Sequence, residues 1–181
     1  MKAKNKNGKG SINKMKKREY PYTRKELETI IKCPVCGKFE AGADSHDICE
    51  FCGFEFDLLQ IDNPDYPGGA NVMSVNQMKK WWNYKTSFNK NFVWTDEDPC
   101  GDYRARLFWD TCPICGEKLN VNKLDIDSPD YEGDYDGVRC TKCGWIRDLV
   151  QAVEPDMKDG LNKLSVNEYK KEYLSKKGGK D

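Results

Sequence analysis

Apolar residues in this chain fall in short clusters separated by polar, Pro- and Gly-rich stretches, and each cluster predicts one small element. Thr23-Arg-Lys-Glu26 has the form of a capping box, in which the Thr hydroxyl and the Glu carboxylate satisfy amides at a helix start. It predicts a short helix over 24–31 with Leu27, Ile30 and Ile31 as its buried side. Phe54-Glu-Phe-Asp-Leu58 alternates apolar and polar positions, the pattern of a half-buried strand. Asn63-Pro-Asp-Tyr-Pro-Gly-Gly69 reads as a turn-rich loop. Ser74-Val-Asn-Gln77 is a second capping box, opening a helix in which Met78, Trp81, Trp82 and Lys85 fall at helical spacing. That aromatic stripe is read as core packing. Ser165-Val-Asn-Glu168 opens a last helix through Tyr169, Tyr173 and Leu174.

The stretch between these halves, residues 88–110, is too aromatic for a free linker, with Phe88, Phe92, Trp94, Tyr103, Phe108 and Trp109. Alternation from Tyr103 to Trp109 predicts a strand or a segment packed between modules, and Asp96-Glu-Asp-Pro99 a turn. The halves should therefore touch. Residues 1–22 and 178–181 lack hydrophobic pattern and read as disordered tails.

The pattern occurs twice. Cys33-Pro-Val-Cys36-Gly is followed by Cys49-Glu-Phe-Cys52-Gly, and Cys112-Pro-Ile-Cys115-Gly by Cys140-Thr-Lys-Cys143-Gly. From the second pair onward, residues 52–82 align without a gap to 143–173, and 14 of the 31 positions are identical, which makes the repeat larger than the cysteine knuckles. The matches include Asp57/Asp148, Gln60/Gln151, Pro64/Pro155, Gly69/Gly160, Asn71/Asn162 and both Ser-Val-Asn tripeptides. The copies differ between their cysteine pairs, where 12 residues intervene in the first and 24 in the second.

Two modules follow, at 23–87 and 111–177, each small enough that a hydrophobic core alone is marginal. Four thiolates suit Zn²⁺, and a two-residue spacer lets one turn aim both sulfurs of a pair at a single ion. Gly37, Gly53, Gly116 and Gly144 follow the second Cys of each pair, where positive φ is often required. Cys33, Cys36, Cys49 and Cys52 are thus the expected ligands of one structural Zn²⁺, and Cys112, Cys115, Cys140 and Cys143 those of a second. Iron in a rubredoxin-like site would use the same thiolates. A thiol redox pair of the CPxC kind needs an amphipathic helix straight after it, which neither Gly37-Lys-Phe-Glu nor Gly116-Glu-Lys-Leu supplies. Cys100 has no counterpart in the repeat and reads as a free thiol. His46, the one His, lies near Cys49 but reads as a surface residue, and imidazole acid–base chemistry has little to work with.

Charge adds a contrast. Residues 1–18 hold eight Lys or Arg and no acid, leaving 22 basic against 30 acidic residues in the body. An acidic body does not suit nucleic acid, although the tail offers an electrostatic contact. The acidic loop at 125–136 could be imagined around Ca²⁺, but its spacing is not that of an EF-hand and it reads as solvated. No apolar run reaches the ~20 residues of a membrane span, no secretory signal is evident, and reduced cysteines imply a cytoplasmic protein.

Cys33, Pro34, Cys36, Gly37, Ile48, Cys49, Cys52, Gly68, Gly69, Asn71 and Ser74 together resemble the cysteine-rich CPCC-type domain of bacterial proteins. The resemblance covers 32–85, and 111–175 more loosely. It implies a zinc module with a Gly-Gly-x-Asn loop before a capped helix, but no activity. Position 35 is Val and position 114 Ile where the family name implies Cys, and Asp159-Gly160 replaces the Gly-Gly pair in the second copy. The expected fold is α+β: two tandem zinc-ribbon or rubredoxin-like knuckle modules, each followed by a capped helix. The expected role is non-catalytic protein binding, of which an immunity or inhibitor protein is one form. A nucleic-acid binder working through residues 1–18 is the alternative, and a thiol redox protein the third reading.

Overall fold

The computed structural model describes residues 22–95, 103–119 and 137–178. The tail through residue 21, the turn at 96–99, Cys100, the loop at 125–136 and residues 179–181 lie outside them. The chain is a small α+β structure in which helices α1 (Arg24–Leu27), α2 (Leu58–Asp62) and α3 (Val75–Phe88) belong to the first repeat. Helices α4 (Tyr103–Leu107), α5 (Leu149–Val153) and α6 (Val166–Gly178) follow, and the sheet among the described residues is an antiparallel pair, β1 (Ile30–Lys32) with β2 (Glu40–Gly42).

The predicted helix over 24–31 is only one turn long. Thr23 caps it, with its backbone N–H donating to Glu26 Oε2 at 2.6 Å, but the chain turns extended at Ile30. The β-branched pair Ile30-Ile31 loses χ1 freedom in a helix and gains ladder bonds to Gly42 and Ala41 as a strand. Ile30 is 65% exposed, so it is not a buried position. At the next expected strand, burial alternates over Phe54–Phe56 but fails at Asp57, which is buried, and no full strand forms. Phe54 and Phe56 are fully buried and meet edge to face, whereas the pairing shrinks to one bridge between Ile48 and Glu55. Asp57 then caps α2 by accepting from the Leu59 amide at 2.9 Å, which bends Leu58 into a helix. Asp148 does the same for α5, and neither short helix was anticipated.

The Ser74 box closes as expected, the Ser Oγ accepting from Gln77 N at 3.2 Å and the Gln77 Oε1 from Ser74 N at 2.9 Å. Its twin at Ser165 and Glu168 closes the same way at 3.2 Å in both directions. Met78, Trp81 and Trp82 are buried, so the stripe is core. On α6, Tyr169 packs edge-on against Trp145, but Leu174 is exposed. Residues 103–107 are helical where a strand was one reading, with the buried Ala105 packed in the main core. α4 begins nine residues before Cys112, as α1 begins nine before Cys33, so the structural repeat extends upstream of the cysteines.

The halves share one core. Leu149, Val150 and Val153 of α5 lie in the same apolar cluster as Cys33, Cys49, Cys52, Trp81 and Trp82 of the first half. Trp81 Nε1 donates to Glu154 Oε1 at 2.9 Å, and Lys85 pairs with the same oxygen at 3.5 Å. Trp109 packs against this cluster and against the second, smaller one around Cys112, Leu119 and Trp145. Among the described residues no helix is long and apolar enough to cross a membrane.

Candidate metal centres

Each of the four CxxCG segments is a tight turn closed by a backbone bond from the Gly to the first Cys. Gly37 N donates to Cys33 O at 2.9 Å, Gly53 N to Cys49 O at 2.8 Å, Gly116 N to Cys112 O at 3.0 Å and Gly144 N to Cys140 O at 2.9 Å. All four glycines have φ between 70° and 81°, the left-handed region that closing this turn requires. The amide of each leading Cys bonds forward, as Cys49 N does to Phe54 O at 2.8 Å and Cys140 N to Trp145 O at 2.8 Å. Both side chains of a pair therefore project to one side.

The turns bring the eight predicted sulfurs into two clusters of four, in each of which all four atoms lie within 4.8 Å of one another. Sulfurs meet across the pairs: Cys33 to Cys52 and Cys36 to Cys49 at 3.5 Å, Cys112 to Cys143 at 3.5 Å and Cys115 to Cys140 at 3.6 Å. A disulfide needs ~2.05 Å. A tetrahedral ion with bonds of ~2.3 Å places its sulfurs ~3.8 Å apart, so the clusters fit a four-coordinate thiophilic metal. Among the described residues no His, Asp or Glu joins either group.

The electrostatics of the thiols point the same way. Contact with the Cys36 sulfur raises the pKa of Cys33, and the same contact holds Cys36 well below its ordinary value. Burial pushes the Cys112 thiol up to about 11. Four crowded sulfurs share protons because they cannot all carry charge in that volume, and a divalent cation at the centre would replace those protons. Lys38 N donates to Cys36 Sγ at 3.5 Å, an outer-sphere amide of the kind that stabilises thiolate charge. Cys36, Cys115 and Cys143 are half-buried, and the other five sulfur-bearing residues are buried. His46 stands apart: its Nδ1 lies 3.1 Å from Glu55 Oε1 and its side chain is largely exposed.

What holds each knuckle against its helix is a polar lattice that spacing alone did not reveal. Gln60 is fully buried, and its Nε2 faces three carbonyls, Tyr66 O at 3.1 Å, Asn71 O at 3.0 Å and Met73 O at 3.1 Å. Its Oε1 accepts from Asn71 N at 2.9 Å. Asn71 in turn clips the outgoing strand of the knuckle, donating to Glu55 O at 2.7 Å and accepting from Glu55 N at 2.9 Å. Asp57 Oδ2 accepts from Ala70 N at 2.8 Å. Gln151, Asn162 and Asp148 make the same bonds, including Gln151 Nε2 to Asn162 O at 2.9 Å, Ile146 N to Asn162 Oδ1 at 2.9 Å and Leu161 N to Asp148 Oδ2 at 2.9 Å. The signal was present in the sequence, since all three residues are identities of the repeat.

The lattice also explains the altered glycine pair. A Cβ on Gly69 would lie 2.3 Å from Asp57 Oδ2, and one on Gly160 2.5 Å from Asp148 Oδ2, so this position admits glycine alone. The preceding position needs only a left-handed backbone, with φ 81° at Gly68 and 55° at Asp159, which Asp tolerates better than most residues. The pair thus diverged where it could.

Residues 31–93 match the family model described as Cysteine-rich CPCC. The match runs past α3 to include Phe92, which packs edge-on against Trp81 with ring centroids 5.7 Å apart. No curated protein and no solved structure matches the chain.

Proposed function

We propose that this chain is a zinc-stabilised, non-catalytic protein-binding protein, with one structural Zn²⁺ in each four-cysteine cluster of a zinc-ribbon-like knuckle. The observation that carries the reading is the closed donor set. Each cluster supplies four thiolates and no further ligand among the described residues, so a bound ion keeps no position for water or substrate. A redox pair is disfavoured because every sulfur contacts a sulfur of the partner turn, so none is an isolated, accessible dithiol. The acidic body favours a basic protein surface as partner, and a basic nuclease restrained by an inhibitor is one form of that pairing.

The test has two stages. Native mass spectrometry of the full chain is expected to show two Zn²⁺, and fewer than two overturns the metal assignment. The protein is then used to capture a partner, which is purified and titrated back beside duplex DNA and RNA at about 150 mM salt. A reconstituted protein complex without nucleic-acid affinity supports the role. Tight nucleic-acid binding that vanishes on deletion of residues 1–18 replaces it with the tail-mediated reading.

A further inference from the structure

We infer that the two four-cysteine clusters are coupled, so that a metal ion held at one raises the affinity of the other. The inference rests on the zinc reading above and concerns how the chain's own residues link the two sites.

The link is short and apolar. Cys140 and Cys143 lead directly, through the buried Trp145, Arg147 and Asp148, into α5. The inner face of α5, Leu149, Val150 and Val153, has almost no exposed surface and lies in the cluster that contains three of the four ligands of the first site, Cys33, Cys49 and Cys52. Glu154, which caps the C-terminus of α5, takes the Trp81 indole N–H at 2.9 Å and pairs with Lys85 at 3.5 Å, tying α5 to α3. A second tie runs through Trp109. Arg147 donates from Nε to Trp109 O at 3.1 Å and lies 4.9 Å from the centre of its ring. The far edge of that ring stands 3.5 Å from where a Gly68 Cβ would sit.

Small knuckle modules gain much of their folding free energy from the ion. A vacant second site loosens the 140–148 segment that positions α5, and α5 then withdraws apolar cover from Trp81 and the first knuckle. The first site would have to bind its metal while exposing that surface. Since coupling is reciprocal, the same penalty applies in the other direction.

Independent sites make a definite prediction at half saturation. Equal independent sites leave roughly half of the molecules with one ion, and unequal independent sites leave more than half. Only positive coupling lowers that fraction, and a tenfold coupling lowers it to about a quarter. The metal-free full chain is titrated with Zn²⁺ under reducing conditions, and the zero-, one- and two-ion species are counted by native mass spectrometry. The expected one-ion fraction is a quarter or less. Val153→Asp, which installs the residue found at the equivalent position of the first repeat, is expected to return it to half or more while both sites still fill. Val150→Ala with Val153→Ala, which thins the contact without adding charge, must shift the distribution the same way. A one-ion fraction of half or more in the unaltered chain overturns the inference, as does an unchanged distribution in the double alanine variant. Failure to bind zinc at all overturns the metal reading instead.

Discussion

Replacing Gly69 by alanine tests the polar lattice most directly. The added Cβ would lie 2.3 Å from Asp57 Oδ2 and 2.8 Å from Gln60 Cγ and Cδ. Relief requires a movement of ~1 Å by a group that cannot move freely. Asp57 Oδ2 is fixed by Ala70 N at 2.8 Å and Oδ1 by Leu59 N at 2.9 Å, while Gln60 is fully buried among three carbonyls. Losing the bond to the carboxylate costs about 1.5–3 kcal/mol, and distortion of the Gln60 contacts brings the total to about 2–4 kcal/mol. Gly68→Asn is the control one residue away. Gly68 has φ 81°, its Cβ would meet only the Trp109 ring at an ordinary 3.5 Å, and Asp159 already occupies the equivalent position at φ 55°. Its cost is held to about 1 kcal/mol. Urea unfolding of the zinc-saturated proteins separates the two, since 2–4 kcal/mol moves the midpoint by ~1–2 M at a typical slope. A Gly69→Ala stability within ~0.5 kcal/mol of the parent, or a larger loss for Gly68→Asn, would refute the steric argument.

Three further outcomes are expected. Gln60→Leu strips the amide that serves Tyr66, Asn71 and Met73 and leaves Asn71 N without its acceptor, so it destabilises by about 2–4 kcal/mol and removes hydrogen-exchange protection at the Asn71 amide. Ser74→Ala removes the acceptor for Gln77 N and lowers stability by about 1 kcal/mol, seen as a fall in thermal midpoint without loss of zinc. Zinc affinity rises with pH because binding displaces thiol protons, and the Cys112 thiol at about 11 extends the rise through neutrality at the second site. Competition with a chelator of known affinity from pH 6 to 8 is expected to show at least about a tenfold gain per unit, and a flat profile contradicts it.

How much of this was legible in the sequence depends on the range over which each residue acts. The knuckle turns, their positive-φ glycines and both Ser-Val-Asn caps are local, set by residues within five positions, and each appears where spacing places it. The short elements were misread because tertiary pairing decided them. Ile30-Ile31 becomes a strand through its partners at 41 and 42, and Leu58 becomes helical because Asp57, held by Ala70 N 13 residues on, turns to cap. The Gln60 lattice joins residues 11 and 13 apart to one side chain, beyond any turn or helix rule. It was visible only as identity between the repeats, whose physical reason needed coordinates.

Identity between the repeats also misleads if divergence is read simply as the mark of function. The positions where the halves differ most in character include Trp81 against Glu172, Val153 against Asp62 and Glu154 against Asn63. In each case the first-named residue lies on the contact between α3 and α5, and the second is exposed on the corresponding outer face. The contact is head to tail: the long helix of the first repeat meets the short helix of the second. These three differences after the second cysteine pair are thus explained by the contact between the repeats. The Lys-rich residues 1–18 and the acidic segment 125–136 have no counterpart in the other copy, and they are where the proposed partner-binding role is to be sought.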